Sequence, residues 1–231
     1  MLDVSRRELK YLVSLNDVAA LKKRLTALMR KDSHNGENGY LVRSLYFDSV
    51  FDTDFEEKVD GYDNRQKVRL RVYDFDSQTA KLELKEKSGN SQRKRSLLLN
   101  REEAERMIKG EYEFLLGRTE SIARWLYTFM VTKCYRPKCI VEYDRFAFCE
   151  EVNDTRVTFD MNLRATEAST NLFDRNLVLY PVSHTNEVTM EVKYNGFLYT
   201  HIKNEISASD KMQVSNSKYV RARMVSKKGR K

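Results

Sequence analysis

Basic side chains recur at every second position in several stretches of this chain. Lys67, Arg69 and Arg71 alternate with Val68, Leu70 and Val72, and Lys81, Glu83, Lys85 and Lys87 with Leu82 and Leu84. Arg93 and Arg95 flank Lys94, which takes the opposite parity. Alternate side chains of a strand share a face, so each stretch sets a cationic face behind an apolar one. Farther on, Arg145 falls with Val141 and Tyr143, Arg156 and Asp160 oppose Val157 and Phe159, and Glu191 and Lys193 oppose Met190 and Val192. One such strand is an ordinary solvated face. The repetition is not, because two like charges about 6 Å apart repel by about 3 kcal/mol at an effective dielectric of about 20. A face built for stability would interleave glutamates. This pattern calls for a polyanion, with arginine's planar fork suited to phosphate oxygens and lysine adding point charge.

Phosphoryl chemistry in such a setting also needs a divalent ion and a carboxylate to hold it. The carboxylates on these faces are Glu8, Glu83 and Glu191. Glu191, flanked by apolar residues and two positions from Lys193, is the strongest metal candidate; an ion pair with a neighbouring arginine is the equal alternative. No GxxxxGK[ST] or GxGxxG loop occurs, and His34, His184 and His201 are scattered, so no nucleophilic triad can be drawn. Single-stranded nucleic acid is the rival polyanion. Its binders interleave stacking aromatics with their cations, and Tyr73 and Tyr143 are the main aromatics on these faces. Phosphate without bases, and no nucleic acid, is the reading.

These side chains need strands to carry them. Alternation predicts strands over Arg7 to Val13, Tyr40 to Asp48, Gln66 to Tyr73, Ala80 to Lys87, Ser91 to Leu99, Cys139 to Cys149, Arg156 to Met161 and Val188 to Tyr194, with a further one at Leu177 to Tyr180. Ser88-Gly89-Asn90 reads as a hairpin turn. Helices are expected over residues 17–30 with Asn16 as N-cap, Phe51 to Val59, from the capping box Asn100 and Glu103 to Gly110, Thr119 to Lys133, Phe197 to Ile206, and Ser217 to Met224. The fold class is α+β, with about eight mostly antiparallel strands that fit a closed barrel and an open sheet alike.

The chain of 231 residues suits one domain over 1–225, with a basic, disordered tail over 226–231. Its formal net charge of +8 agrees with a polyanionic partner. Cys134, Cys139 and Cys149 lack zinc-ligand spacing and read as reduced thiols. Met1-Leu2-Asp3-Val4 opens no apolar signal segment, and no stretch is apolar enough to span a membrane. A cytoplasmic location is expected.

The sequence resembles the catalytic domain of the vacuolar transporter chaperone (VTC) polyphosphate polymerases, a branch of the triphosphate tunnel metalloenzymes. Its matching pieces, in family order from end to end, are Arg6-Arg7-Glu8-Leu9-Lys10-Tyr11, Ser44-Leu45-Tyr46-Phe47-Asp48, Val68-Arg69-Leu70-Arg71, Glu83-Leu84-Lys85, Val141-Glu142-Tyr143-Asp144-Arg145, Arg156-Val157-Thr158-Phe159-Asp160, Met190-Glu191-Val192-Lys193 and Ser217-Lys218-Tyr219. The resemblance implies strands closed into a basic tunnel with helices outside, and transfer of the γ-phosphate of ATP to a growing inorganic polyphosphate. Lys10, Arg69, Arg71, Lys85, Lys94, Arg145, Arg156 and Lys218 are then the phosphate-binding lining, Glu191 the ligand of Mn2+ or Mg2+, and Lys193 its neighbour. A membrane-protein partner is compatible with it. The position three residues before Lys218, often lysine in the family, is Ser215 here. Hydrolytic tunnel enzymes carry E-x-E-x-K on the first strand; here Glu8 and Lys10 remain and Arg6 replaces the first glutamate. That departure favours the polymerase over a triphosphate or polyphosphate hydrolase, and Glu191 argues against a non-catalytic polyphosphate-binding module.

Overall fold

The computed structural model describes residues 6–89, 91–209 and 211–228. The N-terminal Met1-Leu2-Asp3-Val4, the last residue of the Ser88-Gly89-Asn90 turn, and Gly229-Arg230-Lys231 of the expected tail lie outside the described residues. In chain order the elements are β1 (Arg6–Ser14), α1 (Leu15–Thr26), β2 (Arg30–Lys31), β3 (Tyr40–Ser49), α2 (Thr53–Val59), β4 (Arg65–Val72), β5 (Thr79–Ser88), β6 (Ser91–Asn100), α3 (Arg101–Lys109), α4 (Ser121–Thr132), β7 (Tyr135–Glu150), β8 (Thr155–Thr166), β9 (Tyr180–Pro181), β10 (Glu187–Asn195), α5 (Thr200–Ser207), β11 (Met212–Gln213) and α6 (Lys218–Lys228). The strands follow one hydrogen-bonded order, β11-β1-β10-β8-β7-β3-β4-β5-β6, with β2 on β7 and β9 on β8. The pairs β1–β10, β10–β8, β3–β4, β4–β5 and β5–β6 are antiparallel. No ladder joins β11 to β6 among the described residues, so the closure implied by the resemblance is not one of backbone hydrogen bonds.

The chain divides into two compact units, and β7 and β8 contribute to both. The first comprises Met1–Leu41, Tyr143–Leu163 and Ser183–Ser217. Its core is made by the apolar parity of β1, β8 and β10 (Val13, Val157, Phe159, Val188, Met190, Val192) under Val18, Leu21 and Leu25 of α1 and Ile202 and Ile206 of α5. The second comprises Val42–Glu142, Arg164–Val182 and Lys218–Lys231. There Leu45, Phe47, Val68, Leu70, Leu82, Leu84, Leu97 and Leu99 pack against Ala104 and Met107 of α3 and Leu126 and Met130 of α4. In both units the apolar half of each alternation is buried against helices. That burial leaves the polar half on the opposite face.

The expected boundaries hold for α3. Asn100 accepts from the Glu103 amide, Glu103 returns a bond to the Asn100 amide, and Gly110 closes the helix at φ 83°, a left-handed conformation that suits glycine. They differ at α1. Its N-cap is Ser14, whose Oγ accepts from the Asp17 amide at 3.1 Å, and it ends at Thr26 rather than residue 30. Asn16 is inside the first turn because β1 runs directly into the helix. The strand expected at Leu177 to Tyr180 is the two-residue β9, whereas β7 begins at Tyr135 and β8 runs on to Thr166. Residues 226–228, the start of the expected tail, belong to α6.

Candidate active site

In the first unit, register sets Lys10 of β1 opposite Glu191 of β10, and Glu8 opposite Lys193. Glu191 is 5 % exposed. Its Oε1 accepts from Lys10 Nζ at 3.2 Å and its Oε2 from Lys193 Nζ at 3.0 Å, with Arg145 Nη2 at 3.9 Å. Lys10 also lies 3.2 Å from Glu8, so two carboxylates share one ammonium. The backbone carbonyl oxygen of Asn216 accepts from Lys10 Nζ at 3.2 Å. Arg145 forks onto Asp160, with Nε to Oδ1 at 2.7 Å and Nη2 to Oδ2 at 2.8 Å. Burial works against the Arg145 charge, but Asp160 foremost, then Tyr143 and Glu191, hold the guanidinium firmly protonated. Gly39, at φ 101°, rests against the Arg145 backbone; a Cβ there would meet the Arg145 carbonyl oxygen at 2.3 Å.

Arg156 donates to Asp32 at 2.5 Å and to the Tyr40 hydroxyl at 3.0 Å. Burial raises the Asp32 carboxyl, but two hydrogen bonds from His34 and the charge of Arg156 outweigh it and hold the group below the ordinary range. Asp32 stands in a polar loop that no motif singles out. This cluster therefore differs from the nearly bare cationic faces expected from the sequence. Lys10, Arg145, Arg156 and Lys193 meet Glu8, Asp32, Asp160 and Glu191. The equal alternative weighed for Glu191, an ion pair, is present here, but chiefly with lysines.

The second unit is different. Register aligns Arg69 with Glu83, and Lys67 with Lys85 and Lys94. Glu83 is 1 % exposed and gathers Arg69 (Nε at 2.7 Å), Arg71 (Nη1 at 3.7 Å) and Lys94. Burial raises its pKa, but Arg69, Arg71 and Lys94 overcome that and hold it at about 2. Arg69 also donates to Tyr46 at 3.3 Å and Arg71 to Ser44 at 3.1 Å, which ties the Ser44–Asp48 segment to the arginines. Lys94 is on the Lys85 face, as the resemblance implies. Arg95, of opposite parity, faces away from that row, paired to Glu86 and lying over the Trp125 ring at 4.6 Å.

Lys218 opens α6. Its neighbour Tyr219 is 1 % exposed, stacks on Tyr46 and donates to Asp48. Ser215 lies in the stretch between β11 and α6. The sequence reading did not single out the buried acids behind this anchor. Asp48 accepts from the amides of Ser49, Asp54 and Phe55. Asp54 accepts from Tyr135 at 2.6 Å, and burial foremost, then the Asp48 charge, push its pKa up to about 8. The one available signal was Asp48 itself, which ends a matching segment.

No group of three or more His, Cys, Asp or Glu that could cage a metal occurs among the described residues. The donors around Glu191 fit a different arrangement. A magnesium-like ion takes one or two carboxylates and completes its octahedron with water and phosphate oxygens. Glu191, with Glu8 across the shared Lys10, offers that number.

The family model described as "VTC domain" matches residues 5–227. The chain belongs to the VTC domain family. A candidate adenylate cyclase from Bacillus halodurans superposes with a TM-score of 0.53 at 13% identity, over 92% of this chain and 96% of that one. A candidate adenylyl cyclase from Hippeastrum with a dominant triphosphatase activity superposes with a TM-score of 0.55 at 11% identity, over 94% of each chain. At such identities the likeness is one of fold, and the fold is the triphosphate tunnel fold. No curated protein matches by sequence.

Proposed function

We propose that this VTC domain protein is a polyphosphate polymerase, which transfers the γ-phosphate of ATP to a growing inorganic polyphosphate. The observation that carries the reading is Glu191, a buried carboxylate held by Lys10 and Lys193 with Arg145 nearby. In the E-x-E-x-K pattern of hydrolytic tunnel enzymes, Arg6 replaces the first glutamate. Phosphoryl transfer asks little covalent chemistry of a protein; alignment and charge neutralisation do most of the work. Lys10, Arg145, Arg156 and Lys193 of the first unit, and Arg69, Arg71, Lys85, Lys94 and Lys218 of the second, bind and orient phosphates. Each ion pair now made with Glu8, Asp32, Asp160 or Glu83 can be exchanged for one with a phosphate oxygen at little net change in charge pairing. Glu191 holds Mn2+ or Mg2+, which when bound supplies charge neutralisation at the transferred group. A cytoplasmic site of reaction is part of the same proposal.

The test is incubation with ATP and manganese, followed by gel analysis of polyphosphate, beside Glu191→Gln. Long polymer from the wild type and none from the variant is expected. Free phosphate without polymer would identify a hydrolase, and tight polyphosphate binding without turnover a binding module.

A further inference from the structure

Three rows cross β4, β5 and β6 on the face opposite the leucine core. They read Arg71–Lys81–Leu98, Arg69–Glu83–Ser96 and Lys67–Lys85–Lys94. Six cations and one carboxylate occupy them. Glu83 is already engaged by Arg69, Arg71 and Lys94. The third row is the unusual one, because three lysines stand side by side on strands about 4.8 Å apart. Like charges directly opposite on paired strands destabilise a sheet. Lys85 and Lys94 belong to the phosphate lining already proposed. Lys67 completes their row, and its Nζ lies 5.6 Å from the ring of Tyr219, which follows Lys218 at the head of α6.

We infer that Lys67 is a further phosphate-binding residue, and that Lys67, Lys85 and Lys94 form a bar of three ammonium groups that grips a linear polyphosphate across the strands. This deepens the polymerase reading and rests on it. A lysine kept for structure stabilises the empty protein, whereas a lysine kept for phosphate destabilises it and is compensated on binding. The two roles therefore move unfolding temperature in opposite directions.

The experiment is calorimetric titration with inorganic tripolyphosphate at several salt concentrations, together with thermal unfolding of the ligand-free protein. Lys67→Gln keeps most of the aliphatic stem and removes the charge. It is expected to weaken binding about tenfold, as loss of one charge-assisted contact does. Its salt dependence should be shallower by about one phosphate contact. Its ligand-free unfolding temperature should equal or exceed that of the wild type. Lys67→Arg should restore affinity, and Lys109→Gln, at the exposed end of α3, should bind as the wild type does. Unchanged affinity in Lys67→Gln, or a lowered unfolding temperature with an unchanged salt slope, overturns the inference and leaves the polymerase reading standing. A wild type that binds no tripolyphosphate overturns both.

Discussion

The hydroxyl of Tyr219 donates to Asp48 Oδ2 at 2.7 Å, joining residues 171 positions apart. Asp48 ends β3's matching segment and caps the start of α2 through two amides, those of Asp54 and Phe55. Tyr219 sits one residue after Lys218. One hydrogen bond thus fixes where the proposed phosphate-binding lysine begins its helix. Tyr219→Phe keeps the ring stacked on Tyr46 and removes the donor. Because three backbone amides still serve Asp48, the loss expected in chemical denaturation is about 1 kcal/mol. Activity should fall further than stability does, through displacement of Lys218.

Asp54 sets a pH dependence of opposite sign to the usual carboxylate. Unfolded, it loses its proton near the ordinary 3.8; folded, burial and Asp48 keep the proton until about pH 8. Between these values the folded state binds the extra proton, so its contribution to stability is lost as pH rises, by up to about 1.4 kcal/mol per unit. Asp54→Asn, which still accepts from Tyr135, should flatten this slope. Denaturation midpoints at pH 5 and pH 8 should differ less in the variant than in the wild type. An unchanged difference would rule Asp54 out as its source.

Lys94 and Arg95 are adjacent and serve different faces. Lys94→Ala should lower polymer synthesis about tenfold or more with little change in unfolding temperature, as loss of a charged contact to substrate does. Arg95→Ala, which loses the Glu86 pair and the Trp125 contact, should cost about 1 kcal/mol of stability and leave synthesis near wild type. A side-by-side assay of both variants decides it, and a reversed pattern would mean that the hairpin register differs from the one described.

Gly39 supports Arg145 from its backbone side. In Gly39→Ala the added carbon meets a carbonyl oxygen at 2.3 Å in a conformation that disfavours side chains, so the strand at Arg145 must shift. The expected loss is more than about 2 kcal/mol. Phosphate affinity should fall as well, because Arg145 no longer meets Asp160 and Glu191 in the same geometry. Titration with tripolyphosphate at a temperature where the variant remains folded separates the two effects.

Much of this was legible in the residues themselves. Period-two alternation located the long strands, and parity placed Arg69 with Arg71 on one face of its strand and Glu83 with Lys85 on one face of the next, because side-chain direction in a strand is a local property. The Asn100 capping box is likewise complete within a few residues. Glu191, Lys193 and Lys10 could be named from type, spacing and resemblance. Lys94 could not be placed by parity alone, since parity within one strand does not say which face meets which in the next. The ladder Lys85–Lys94 settled it.

What the sequence determined by itself was local: strand faces, the caps of α3, and the excess of cations over acids on β4 to β6. Only the tertiary structure decided which charges meet. Asp32 reaches Arg156 across 124 residues, Asp160 takes the fork of Arg145, and Asp54 is buried beside Asp48 until its acid stays protonated. Coulomb energies and desolvation depend on distance and burial in space, and neither is encoded in spacing along the chain.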